Sequence, residues 1–227
     1  MIKLKTPPRQ GEFLLYYLGN PNNMFGFKAV ELQIFKKLRS PQQIQDFLDT
    51  IPIVGKGGDR CRSPRCVLAE KRAHCMEGAM LAAVALRFNG YKPLVVDLKS
   101  TRDDFDHVIA VFKQRGHWGA LSKTNYAVLR YREPIYRTIR ELVMSFFHEY
   151  FTDDGKKTLR SYSVPVDLSI FDRKGWMTSE KDIWYIPRYL DKMPHKSILT
   201  RSMIASLRPT HPIEIKIGKV RQWHKKK

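Results

Sequence analysis

The sequence predicts an α+β fold. Three observations carry this: a helix-forming stretch over residues 73–88 that is apolar on nearly every face, a strand and a hairpin after it, and a second amphipathic helix over 134–151. A helix with no polar face to give to water lies inside a domain, not on its surface. The chain has 227 residues, 43% of them hydrophobic and 11% aromatic. That is enough for one well-filled domain, or a domain with an appendage, and it excludes wholesale disorder.

The elements follow in order. Ser40 is a helix N-cap with Pro41 at the first helical position, and Ile44, Phe47 and Leu48 share one face behind them. Residues 55–65 are glycine-rich, polar and cationic and form a loop; Gly55-Lys56-Gly57-Gly58 lacks the spacing of a phosphate-binding loop. The apolar helix over 73–88 stops at Asn89-Gly90. Residues 94–98 are a strand, and 107–112 and 118–121 flank Gln114-Arg115-Gly116-His117 as a hairpin. In the second helix Ile135, Ile139, Leu142, Val143, Phe146 and Phe147 recur at helical spacing. Two regions are expected: a core over 1–151 and a basic, aromatic-containing extension over 152–227 that packs on it and ends in a loose tail, Lys225-Lys226-Lys227.

The formal charge is +19 and the pI about 10.0. Such a surplus attracts polyanions, and residues 195–227 hold nine Lys/Arg against one acid, Glu214. Nonspecific nucleic acid binding through this basic tail is the partner it implies, and Trp176, Trp184, Tyr185, Tyr189 and Trp223 could serve as stacking surfaces or pack the extension down. No apolar run is long enough to span a bilayer, and no apolar segment follows the first lysines, so neither membrane insertion nor secretion is expected. The three cysteines, Cys61, Cys66 and Cys75, form an odd count in a chain expected in the cytoplasm, where thiols stay reduced.

A reduced thiol is free for chemistry. Cys75 stands at the start of the apolar helix, where unpaired backbone N–H groups favour thiolate and could hold an oxyanion. His107 opens a strand two elements later and could serve as its base. Glu77 in the first helical turn suits the helix dipole, or would bind a substrate amine if it faced a cleft. Alternatively Cys61, Cys66, His74 and Cys75 could ligate zinc, although the adjacent His74 and Cys75 cannot easily point at one ion from a helix start.

The order of helix-start cysteine, strand, and histidine opening a hairpin resembles the transglutaminase-like superfamily of cysteine enzymes, to which arylamine N-acetyltransferases and microbial peptidase-like proteins belong. The segments Ser63-Pro64-Arg65-Cys66-Val67-Leu68, Ala73-His74-Cys75-Met76-Glu77-Gly78-Ala79, Asp106-His107-Val108 and Trp118-Gly119-Ala120-Leu121-Ser122-Lys123-Thr124-Asn125 are similar to a bacterial and archaeal branch of it. The resemblance spans about residues 40–151. It implies a papain-like core, with the cysteine's buried helix packed on an antiparallel sheet, and acyl transfer or amide hydrolysis on a peptide or amide substrate. No metal or organic cofactor is implied. Cys75 would be the nucleophile and His107 the base and acid. The superfamily's third residue, an aspartate, is replaced here by Ser122, with Asn125 three residues on. Asn125 is the favoured orienting group, since an amide can steady an imidazole; Ser122 would do so weakly, and Asp97 or Asp106 could be borrowed. The alternative is a fold that has lost its chemistry and binds a polyanion.

Overall fold

The computed structural model describes residues 25–53 and 60–222, so the tip of the glycine-rich loop, Trp223 and the lysine tail lie outside the described residues. Four helices come first: α1 (Ala29–Lys37), α2 (Pro41–Asp49), α3 (Pro64–Glu70) and α4 (Cys75–Phe88). Local chemistry sets three of their starts. Ser40 caps α2 by accepting from Gln43 N, Ser63 caps α3 by accepting from Cys66 N, and a proline follows each serine. At α4 the Glu77 carboxylate reaches back to His74 N at 2.8 Å. Strands β1 (Leu94–Lys99), β2 (His107–Gln114), β3 (His117–Ser122) and β4 (Arg132–Tyr136) follow, then α5 (Ile139–Phe147). The rest is β5 (Ser161–Ser163), β6 (Val166–Asp167), a 3₁₀ turn at Leu168–Lys174, α6 (Tyr185–Asp191), β7 (His195–Ser197), α7 (Arg201–Ala205) and α8 (Pro212–Gly218).

The strands make one seven-stranded sheet in the order β4-β3-β2-β1-β5-β7, with β6 also on β1. Every pairing is antiparallel. Alternation along each strand divides the core. Val95, Val108, Ala110, Phe112 and Leu121 pack under α4, together with Phe35, Leu48 and Val67 of the first three helices. Val96, Leu98, Ile109, Val111 and Ala120 face the other way, onto Leu142, Val143, Phe146 and Phe147 of α5. The molecule is therefore α+β, with helices on both faces of an antiparallel sheet. Residues Gly78 to Leu86 of α4 are all buried, as its composition requires.

One expectation is corrected. The helix anticipated over 134–151 begins only at Ile139, with Thr138 accepting from Glu141 N as its cap; residues 132–136 are an edge strand. Pro134 is tolerated there because an edge strand has a free side that needs no N–H, and Ile135 points out, 66% exposed. Beyond residue 152 the chain packs on the core. The short strands β5, β6 and β7 extend the same sheet past β1, and Trp176, fully buried, donates its ring N–H to Asp172. Tyr185 and Tyr189 pack on Phe171. Residues 201–222 are largely exposed.

Candidate active site

Cys75 is the first residue of α4, behind the N-cap His74. The residue is half-buried, and the backbone N–H groups of Val108, of Met76 and of Cys75 itself lie where they favour negative charge on its sulfur. The Val108 contact puts the sulfur at the beginning of β2. The β2–β3 ladder ends there, at the pair Ile109↔Ser122, and beyond it the strands are free to part. Burial pushes the Cys75 thiol up, and the Asp97 charge adds to this, while the three N–H groups pull it down. The balance reverses the expectation for a helix start: desolvation outweighs the helix dipole, and the resting group is a thiol.

His107 is the residue before Val108 and is buried, 7% exposed. It lies on the Ile109 and Val111 side of the strand and reaches the Ser122 hydroxyl through Nε2, at 2.7 Å. Burial alone holds the imidazole down at about 4, so it is neutral at pH 7. No hydrogen bond joins its ring to the Cys75 sulfur: the His107 side chain lies on the α5 face of β2, α4 packs on the other face, and the strand residue next to the sulfur is Val108.

The proton on the ring can be assigned. Ser122 Oγ donates to the Leu129 carbonyl, which can only accept. A hydroxyl has one proton, so toward His107 the serine can only accept, and Nε2 must carry the hydrogen. The neutral ring then keeps its lone pair on Nδ1. The Ser122 backbone is fixed in turn by the Gln45 amide of α2, which accepts from Ser122 N and donates to Ser122 O, each at 3.0 Å.

The other named residues are elsewhere. Asn125 lies in the bend after β3, where its carbonyl accepts from Gln222 N; it does not reach the imidazole. The hairpin register explains this. Gln114 pairs with His117 across the two-residue turn Arg115-Gly116, both at positive φ. Extended, that register sets His107 opposite Thr124, so Ser122 shares its face and Asn125 takes the other. Asp106 accepts from Ser100 N and Lys99, and Asp97 from His195 Nε2 at 3.1 Å. Asp97 is near enough to act on the Cys75 charge, while His195 turns both ring nitrogens elsewhere, Nε2 to Asp97 and Nδ1 to the Met193 carbonyl at 2.7 Å.

Cys61, Cys66, His74 and Cys75 do not converge as zinc ligands. Cys61 is buried, with its thiol pushed up to about 12 by desolvation, and Cys66 Sγ lies on the Ser179 carbonyl at 3.5 Å. Among the described residues only Asp97, Asp106 and Asp191 bring such ligand atoms within 4.8 Å of one another. The Lys99 ammonium already sits among them, at 3.5, 2.7 and 2.6 Å. Glu77 does not face a cleft. It is fully buried and accepts from Arg62 N, Arg62 Nη1 and His74 N, which pins the chain before α3 to the start of α4.

Lys123 has a place that the residue pattern does not announce. Its side chain is fully buried against Gly78, one turn into α4, where an added Cβ would come within 2.3 Å of Lys123 Cβ. Its ammonium has no hydrogen-bond partner among the described residues, and burial brings it down to about 8. Only the run Ser122-Lys123-Thr124-Asn125 hints at it, and a lysine after a strand ordinarily reads as surface.

Neither protein-family models nor curated proteins give a match to this chain. No helix among the described residues is long and apolar enough to cross a membrane.

Proposed function

We propose that the protein is a cysteine-dependent enzyme of transglutaminase-like, papain-like type, performing acyl transfer or amide hydrolysis through a thioester on Cys75. The observation that carries this reading is the proton placement at His107. Ser122, committed as a donor to Leu129, leaves Nε2–H on the ring and the lone pair on Nδ1, and the next residue of the strand, Val108, is the one whose N–H favours negative charge on the Cys75 sulfur. In the reaction Nδ1 takes the thiol proton as sulfur attacks the substrate carbonyl carbon. The tetrahedral intermediate then collapses, and the leaving amine departs with that proton. Water or a second amine attacks the thioester, loses its proton to Nδ1 and regenerates the thiol. The N–H groups at the start of α4 and at Val108 favour the negative charge that develops on sulfur.

The test is acetylation by an activated ester such as p-nitrophenyl acetate, mapped by mass spectrometry. The acetyl group is expected on Cys75 ahead of Cys61 and Cys66, and formed more slowly in His107→Ala. Equal acetylation of the three thiols, or a rate indifferent to His107→Ala, would overturn the reading.

A second reading rests on Ser122. With no carboxylate behind His107 the imidazolium is poorly supported, and the chain would be a binding protein that retains the fold without its chemistry. Its exposed basic end includes Arg201, Arg208, Lys216, Lys219 and Arg221. This reading predicts salt-sensitive, sequence-indifferent binding of single-stranded DNA. The triple change Lys216→Glu, Lys219→Glu and Arg221→Glu would weaken that binding, and Cys75 would not be acylated.

A further inference from the structure

We infer that Glu149, braced by Arg132, is a positioning residue that sets which nitrogen of His107 carries the proton, acting through the Leu129 carbonyl. The inference rests on the site described above and reaches two residues beyond it. Glu149 Oε2 accepts from Leu129 N at 2.7 Å and from Arg132 Nη2 at 2.6 Å. Arg132 is fixed on its other sides: Nε donates to Ser145 Oγ at 2.9 Å, Nη2 to the Ser145 carbonyl at 3.1 Å, and the guanidinium covers the Phe146 ring at 4.1 Å. These contacts tie β4 to α5.

Leu129 needs such an anchor. Its φ is +61°, a left-handed conformation that a branched side chain rarely takes. The Glu149 carboxylate holds the 128–129 peptide by the Leu129 N–H, and the left-handed turn at Leu129 carries its carbonyl, in the next peptide, onto Ser122 Oγ. That carbonyl is what commits the serine proton. Without it the hydroxyl could rotate and donate to Nε2, which would favour the Nδ1–H tautomer and remove the lone pair from Nδ1. The order of control runs from Arg132 and Glu149 to Leu129, then to Ser122, then to His107. Neither charged residue touches the imidazole, so they act on its protonation only through this chain.

Long-range ¹H–¹⁵N correlation spectra of the ¹⁵N-labelled full chain report the histidine tautomer directly, with no substrate. At pH 7.5 His107 is expected as Nε2–H. Glu149→Ala should lower the Nε2–H to Nδ1–H ratio about fivefold, the size of one modest hydrogen bond. Glu149→Gln keeps a carbonyl for Leu129 N and should hold the ratio near the parent's, a rescue that a merely structural role would not produce. Should Glu149→Ala fail to fold, Glu149→Asp withdraws the carboxylate by one methylene and should lower the ratio in the same direction. An Nε2–H tautomer unchanged in Glu149→Ala or Glu149→Asp would overturn the inference while leaving the Cys75–His107 reading intact. An Nδ1–H tautomer in the parent protein would overturn both.

Discussion

Acid should destabilise this protein through His107, because burial holds its imidazole well below the ordinary range. In the unfolded chain the imidazole titrates near its ordinary 6.5; in the folded protein burial holds it at about 4. As pH falls below 6.5 the unfolded state gains a proton that the folded state refuses, so stability is full above 6.5 and is lost down to about 4. A tenfold difference in proton affinity between the two states corresponds to about 1.4 kcal/mol, and between pH 7 and pH 4.5 the loss comes to about 2 kcal/mol. His107→Gln removes this titration. Urea unfolding of both proteins at pH 7 and pH 4.5 isolates the effect, because each protein serves as its own reference and the remaining carboxylates are common to both. The drop in stability should be smaller in His107→Gln by about 2 kcal/mol. An equal drop in the two proteins would mean that His107 is hydrated or already charged, and the neutral-base argument would fail with it.

Two further perturbations probe the packing beneath the site. Gly78→Ala puts a methyl within 2.3 Å of Lys123 Cβ, a stiff part of that side chain. The strain of about 1–3 kcal/mol should exceed the gain in helix propensity of about 1 kcal/mol, so the variant should lose stability, and a higher urea midpoint would refute the contact. Lys123→Met replaces a fully buried ammonium that has no hydrogen-bond partner among the described residues. It should raise stability at pH 7 by about 1–3 kcal/mol, and a loss would mean that the amine has a partner in solution.

Much of this fold is legible in the residue pattern, and the parts that are not have definite causes. The all-round apolar run of α4, its stop at Asn89-Gly90 and the Ser40-Pro41 start of α2 are local signals, and each element forms where the signals stand. The edge strand β4 is not legible, because Ile135, Ile139 and Leu142 keep helical spacing whichever way Pro134 is used. Strands of two or three residues, such as β5, β6 and β7, carry too little alternation to announce themselves, so the last quarter of the chain looks like an appendage although it completes the sheet. The choice between Ser122 and Asn125 is within reach of the residue pattern. A two-residue turn at Arg115-Gly116 fixes the register, and with it the residue that shares a face with His107. The state of the Cys75 thiol is not legible, for an energetic reason: burial is a tertiary quantity, and it outweighs a helix-end effect of about 0.3–1 kcal/mol.

The central claim is that His107 acts as a neutral base on the Cys75 thiol, and the pH dependence of Cys75 acetylation tests it most directly. A thiol deprotonated by an imidazole that titrates near 4 gives a rate that is flat from about pH 5 to pH 8 and falls only as the ring takes its proton. In His107→Ala the rate should instead rise about tenfold per pH unit over the same range, following the free thiolate. If the parent protein itself shows that tenfold rise and matches His107→Ala throughout, His107 takes no part in activating Cys75.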